Sequence, residues 1–208
     1  MIFRKMDKKR VLKQFKFIDK LKGNMRLAAE DWKSDYKTLI STILSARSLD
    51  ETTIKVCNKL FIKYPNIREL ADAKIESVRK IIKPINYYKN KSNSILKCAK
   101  ILDKIYTGKI PNSYEELIKL PGVGNKTANV FLSELGKHTI GVDTHVYYIS
   151  RFLGWSNSNK FEDVENDLKN LFPKNYWRML NPTLVKFGKK YRSRKEKNII
   201  LDKIKSIK

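Results

Sequence analysis

The sequence predicts an all-α fold. In nearly every segment, apolar residues recur at the three- and four-residue spacing of an amphipathic helix. No segment shows the strict apolar–polar alternation of a half-buried strand. Most of the 8 glycines and 6 prolines fall between the periodic segments, where they mark short loops. A chain of helices joined by short connections is therefore expected.

The elements follow one another from the N-terminus. Apolar periodicity predicts helices over residues 8–22, ending near Gly23, and over residues 36–46. The next helix carries Ile54 and closes before Pro65, and either Ser48 or Asp50 could cap its start. The remaining predicted helices cover residues 67–71, 76–82, 91–106, 113–119, 126–135, 144–153 and 161–172, with a last set beyond residue 176.

Charge indicates the class of partner. The 208 residues carry a formal net charge of +24 and a pI near 9.9, which attracts phosphate backbones. RNA, DNA and an acidic membrane surface all fit the charge alone. No apolar run approaches the roughly 20 residues of a membrane span, and residues 1–10 lack the apolar core of a secretory signal. We therefore expect an intracellular protein.

The sequence offers no dedicated metal site. Cys57 and Cys98 are the only cysteines, and both lie in apolar-periodic segments, which favours buried reduced thiols. An all-cysteine iron–sulfur cluster needs four cysteines. His138 and His145 add no recognisable metal-ligand spacing.

The segment 120–127, Leu-Pro-Gly-Val-Gly-Asn-Lys-Thr, is the most informative motif. Gly122 and Gly124 around Val123 allow a turn tight enough to bring backbone N–H groups against a phosphate. Lys126 then falls in the first turn of the following helix, where the helix macrodipole opposes its protonation. It is a candidate nucleophile, while a structural αα-hairpin with a solvated lysine explains these residues equally well.

A second motif, Ile140-Gly-Val-Asp-Thr-His145, follows downstream. Asp143 is well placed as the N-cap of the next helix, and taken alone this is the favoured interpretation. It lies 17 residues after Lys126. If the two side chains face one another, the carboxylate could shuttle the amine's proton and stabilise positive charge on a sugar ring.

Together these segments resemble the helix-hairpin-helix DNA glycosylases of the endonuclease III type. The resemblance rests on residues 120–130 and 142–145, on Ile-Leu-Ser-Ala-Arg-Ser-Leu-Asp over 43–50, and on Tyr-Lys-Asn-Lys-Ser-Asn-Ser-Ile over 88–95. It implies an all-α, two-lobed HhH-GPD fold with the active site in the cleft between the lobes. One lobe would be a six-helix domain over residues 27–139, and the other would combine residues 1–26 with 140–208.

The resemblance also implies roles for residues. Lys126 would attack C1′ of a damaged nucleotide and Asp143 would be its essential carboxylate. The turn of Gly122, Val123 and Gly124 would hold a DNA phosphate, with a monovalent cation as a possible aid. By family position, further DNA contacts fall to Arg47, Tyr87, Tyr88, Lys91 and His145, and a weaker assignment places Ser45 and Asp50 at the pocket.

The sequence departs from this family after Gly188. The family usually has cysteine four residues later, opening an iron–sulfur loop, whereas this chain has Arg192 there and no later cysteine. We therefore expect no iron–sulfur cluster and no other cofactor. A basic helix around residues 189–207 would take over the bracing of DNA.

The resemblance thus implies a base-excision repair DNA glycosylase with abasic-site β-lyase activity on oxidised pyrimidines in double-stranded DNA. We expect a monomer in the cytoplasm or nucleoid of a prokaryote. An 8-oxoguanine glycosylase/lyase of the same fold would keep both Lys126 and Asp143. A non-catalytic DNA-binding module would need only the hairpin backbone.

Overall fold

A computed structural model describes residues 7–208, and within that range the regular structure is entirely helical, which confirms the predicted fold class. In chain order the helices are α1 Lys8–Leu21, α2 Asp35–Ser45, α3 Asp50–Lys63, α4 Ile67–Ala71, α5 Ile75–Ile82, α6 Tyr88–Lys104, α7 Tyr114–Leu117, α8 Asn125–Glu134, α9 Thr144–Phe152, α10 Phe161–Leu171, α11 Trp177–Lys190 and α12 Arg194–Lys205, with a 3₁₀ turn over Lys174–Tyr176 before α11.

The chain forms two compact units. One is the continuous segment 26–137, which contains α2–α8. The other combines residues 7–25 with residues 138–208, so that α1 packs with helices from the far end of the chain. None of the described helices is both long and apolar enough to cross a bilayer.

The core of the 26–137 unit is built around α2. This helix is buried along most of its length, and its side chains meet those of α3, α6 and α8. The fully buried members of the core include Leu39, Ile40, Leu44, Leu60, Leu70, Ile82 and Ile95. Because α2 is covered by its neighbours, the loops at its C-terminal end are fixed to a rigid base.

The second unit centres on α1 and α11. Phe15 of α1 packs edge-on against Phe172 with 5.7 Å between ring centroids, and Phe187 of α11 is fully buried. Gln14, also fully buried, accepts a 2.8 Å hydrogen bond from the Trp155 indole and donates to the Ile204 carbonyl at 3.2 Å. Both the oxygen and the nitrogen of this buried amide are therefore hydrogen-bonded, as a polar residue in the core requires.

Two local predictions were wrong. The N-cap of α3 is Leu49, which makes no side-chain cap bond, and neither Ser48 nor Asp50 occupies that position. The basic helix predicted over residues 189–207 is interrupted, because α11 ends at Lys190 and a new helix begins after Ser193. Ser193 accepts a hydrogen bond from the Glu196 backbone N–H, so the new start is a genuine N-cap.

The prediction of buried, reduced cysteines is confirmed, since Cys57 and Cys98 are both free and fully buried. Burial raises the pKa of each thiol to about 12, so neither forms a reactive thiolate at pH 8. We expect no reaction with a thiol-specific chromogenic reagent in the native protein, and two equivalents after denaturation. Rapid native labelling would contradict this burial.

Candidate functional site

The glycine hairpin between α7 and α8 can form only with glycine at position 122. Gly122 has φ of +87°, a left-handed conformation that side chains rarely adopt. A Cβ placed there would lie 2.9 Å from Ser94 Cβ and 3.1 Å from Ile43 Cγ2. The hairpin backbone is therefore pressed against α6 and α2, and the buried Val123 side chain anchors its tip.

The other side of the hairpin is open. Gly124 is the N-cap of α8, and a Cβ added there would meet nothing within 4 Å. It supplies no side-chain cap to the first N–H groups of the helix, which leaves them suited to a bound anion. Lys126, the second residue of α8, is half-buried in this same first turn.

Two further loops carry exposed side chains on left-handed backbone. Arg47, just after α2, has φ of +54°, and Tyr87, the N-cap of α6, has φ of +60° and is 60% exposed. For non-glycine residues this conformation costs about 1–3 kcal/mol and persists only where surrounding contacts impose it. Asn86 provides such contacts, because its side chain donates to the Arg47 carbonyl at 2.6 Å and its backbone N–H donates to Ser48 Oγ at 3.2 Å.

Lys91, which is predicted to contact DNA, is buried in the 26–137 unit. Its ammonium group donates to the carbonyls of Leu44, at 2.8 Å, and Ala46, and to Ser48 Oγ at 3.1 Å. Burial lowers its pKa to about 8, so it is mostly charged at pH 7. All three protons of this ammonium are used inside the protein, where it caps the C-terminal end of α2 and ties the turn after it to α6.

The two residues assigned to the pocket, Ser45 and Asp50, and the predicted DNA contact Tyr88 also have local structural contacts. Ser45 Oγ donates to the Thr42 carbonyl of its own helix at 2.8 Å. Asp50 accepts from the Ala28 N–H at 3.2 Å, which holds the segment before α2 against the start of α3. Tyr88 is half-buried and packs on the core of the 26–137 unit.

Asp143, in the other unit, is the N-cap of α9 as its sequence suggests. One oxygen, Oδ1, accepts from the N–H groups of both His145 and Val146 at 2.9 Å, so Oδ2 takes no part in the cap. Asn181 of α11 donates to the Gly141 carbonyl at 2.6 Å and thereby fixes the segment leading to the cap. The carboxylate is half-buried and held in one orientation.

His145, also predicted to contact DNA, packs with its ring against α11. A Cβ at Gly188 would lie 2.9 Å from His145 Cγ, so only glycine permits this approach. No local sequence pattern predicts this contact or the hydrogen bonds of Asn86 and Asn181, because each depends on residues that are distant along the chain.

The thiols of this chain do not fit an all-cysteine iron–sulfur cluster, which needs four cysteines. Among residues 7–208, no group of three or more His, Cys, Asp and Glu side chains could hold a metal ion. The only two thiols are buried in the 26–137 unit, whereas the family's cluster loop would follow Gly188.

Comparison with known proteins gives consistent matches. The family model of the HhH-GPD superfamily base excision DNA repair proteins matches residues 40–174. Endonuclease III of Thermotoga maritima is 44% identical over 156 residues, covering 74% of this chain and 73% of the relative. Endonuclease III of Bacillus subtilis is 36% identical over 186 residues, covering 86% and 84%.

Solved structures agree with these relatives. A trapped covalent intermediate of endonuclease III with DNA superposes with a TM-score of 0.83 at 30% identity, covering 90% of this chain and 89% of that one. A non-covalent endonuclease III–DNA complex gives the same TM-score, covering 91% and 89%. From its sequence and its fold, the chain belongs to the HhH-GPD superfamily of base excision DNA repair proteins.

Proposed function

We propose that this protein is a base-excision repair DNA glycosylase and abasic-site lyase that removes oxidised pyrimidines from duplex DNA. The proposal rests on the position of Lys126, which lies in the first turn of α8 directly after the glycine hairpin. The N-terminus of this helix is suited to bind an anion. An amine beside a phosphate site can reach the sugar of a nucleotide whose backbone the hairpin holds. The endonuclease III relatives, one of them trapped covalently on DNA, support the same chemistry.

In the proposed reaction the Lys126 amine attacks C1′ of the damaged nucleotide, and the C1′–N bond to the base breaks. Loss of a proton and opening of the sugar ring give a Schiff base between Lys126 and C1′. Removal of a C2′ proton then forms a C2′–C3′ double bond, breaks the C3′–O bond and releases the downstream strand with a 5′ phosphate. Hydrolysis of the remaining imine frees the lysine.

Other residues have supporting roles in this proposal. Asp143 supplies the carboxylate that accepts the amine proton and stabilises positive charge on the sugar. The backbone N–H groups after Gly124 hold a phosphate in this proposal, and the hairpin carbonyls offer a place for a monovalent cation. The nucleotide must leave the base stack before reaction, and Arg47 and Tyr87 would fill the space that it vacates.

The partner is double-stranded DNA with damaged bases or abasic sites. A net charge of +24 makes binding strongly dependent on salt. We propose that the protein acts as a monomer inside a prokaryotic cell, without an iron–sulfur cluster. Cluster-free activity is testable, because protein purified with a metal chelator should retain full turnover.

Borohydride trapping on matched duplexes tests the activity. Reduction of the Schiff base should cross-link the wild-type protein to duplexes carrying thymine glycol or an abasic site, and to an undamaged duplex much less. Stronger trapping on 8-oxoguanine than on thymine glycol would favour the alternative purine specificity. Salt-dependent binding with no trapping on any lesion would identify a DNA-binding module without catalysis.

A further inference from the structure

Leu49 is a large apolar side chain in an unusual place. It is the N-cap of α3 and is 72% exposed. Residues with a side-chain oxygen are preferred at this position, because they accept a hydrogen bond from the first turn of the helix. Leucine provides no such bond, so the position sacrifices local stability. A break in a local rule of this kind often marks a functional residue.

The turn that carries Leu49 is held rigidly. Ser48 Oγ, the neighbouring side chain, accepts from Lys91 Nζ at 3.1 Å and from the Asn86 N–H at 3.2 Å. The Asn86 side chain also binds the Arg47 carbonyl. These bonds connect residues 47 and 48 to the residue before Tyr87, so the turns that present Arg47, Leu49 and Tyr87 are fixed to each other.

This end of the unit therefore presents one guanidinium and two large, exposed side chains on preorganised backbone. Such a combination suits duplex DNA with an extruded nucleotide, which offers phosphates outside and apolar base faces inside. Because the backbone of these turns is already fixed, little ordering of the main chain is needed on binding, and burial of the side chains contributes more fully to affinity. A solvated polar ligand would gain nothing from Leu49.

We propose that Leu49 is a DNA-contacting side chain that packs against the bases flanking the extruded nucleotide, together with Arg47 and Tyr87. The inference rests on the proposed function, because it names a further contact of the same site. It also explains why the N-cap position of α3 holds leucine instead of a residue that can cap the helix.

The test compares three variants. Leu49→Ser removes the apolar group and supplies a cap, whereas Leu49→Met keeps an apolar side chain of similar volume. Ile62→Ser is the matched control, because Ile62 is 82% exposed on the same helix and lies 13 residues further along, about 20 Å away. Fluorescence anisotropy at constant salt measures the Kd for a duplex carrying a tetrahydrofuran abasic-site analogue.

We expect Leu49→Ser to weaken this binding about tenfold, corresponding to the loss of one well-packed apolar contact. Its melting temperature should rise by about 2–4 °C, because the serine caps α3. Leu49→Met should bind within about twofold of wild type, and Ile62→Ser should bind as wild type does. Higher stability together with weaker binding cannot result from a damaged fold.

Three outcomes would overturn the inference. These are unchanged binding by Leu49→Ser, an equal loss in Ile62→Ser, or a loss in Leu49→Ser accompanied by a lower melting temperature. Failure of the wild-type protein to bind the analogue or to be trapped on DNA would instead remove the proposed function. The wild-type measurement therefore separates the two failures.

Discussion

Replacement of Lys126 by alanine should abolish borohydride trapping and reduce base excision by about a thousandfold or more, since the variant lacks the amine that attacks C1′. The α8 helix should form normally, because alanine is the best helix former and position 126 lies within a regular first turn. Single-turnover cleavage of a thymine glycol duplex, measured beside the trapping assay, gives both quantities.

Two control variants separate nucleophilicity from charge. Lys126→Arg keeps a positive charge but replaces the amine with a guanidinium that is a poor nucleophile, so it should also fail to trap. Lys100→Ala removes one positive charge from an exposed position on α6 and should trap normally. If Lys126→Arg or Lys126→Ala trapped DNA as efficiently as wild type, another residue would be the nucleophile.

Asp143→Asn should fold with nearly wild-type stability and yet lose about 10²–10⁴-fold in turnover, the range typical of an acid–base group. Asparagine can accept the N–H groups of His145 and Val146 through its amide oxygen, and so preserve the cap that Oδ1 now makes. It cannot take up a proton or stabilise a cation as a carboxylate does. Thermal unfolding and single-turnover rates would be measured on the same preparation.

Asp7→Asn is the matched control for this substitution. Asp7 is also an N-cap in the same unit, its side chain accepts from the Lys9 N–H at 2.9 Å, and the change alters net charge equally. It should leave both stability and turnover within experimental error of wild type. Wild-type turnover by Asp143→Asn would show that Asp143 acts only as a helix cap and not in catalysis.

Local sequence signals predicted the fold well where they were strong. The helix over residues 67–71 is found at those residues, and α9 and α10 each end one residue before the predicted limit. The start of α6 was predicted three residues late, because Tyr88 begins the helix directly after a left-handed residue. Tyrosine at position 87 does not predict a left-handed backbone conformation. Long-range contacts impose that conformation.

The candidate site, like the fold, was predictable where its sequence signals are local. Glycines in a tight turn and an aspartate before a helix are local signals, and the structure has the hairpin and the cap where they indicate. The position of Lys91 was not predictable, because its partners lie 43 to 47 residues earlier in the chain. A lysine in a highly basic sequence is expected at the surface, and only the carbonyls at the end of α2 make its burial favourable.

The arrangement of the two units has a consequence for biosynthesis. Segment 26–137 is continuous, so all of its core residues can leave the ribosome before translation ends. Helix α1 is made first, yet the carbonyl that binds its buried Gln14 amide belongs to Ile204, 190 residues later. We therefore expect the middle of the nascent chain to fold first, while its beginning stays unpacked until the last helix emerges.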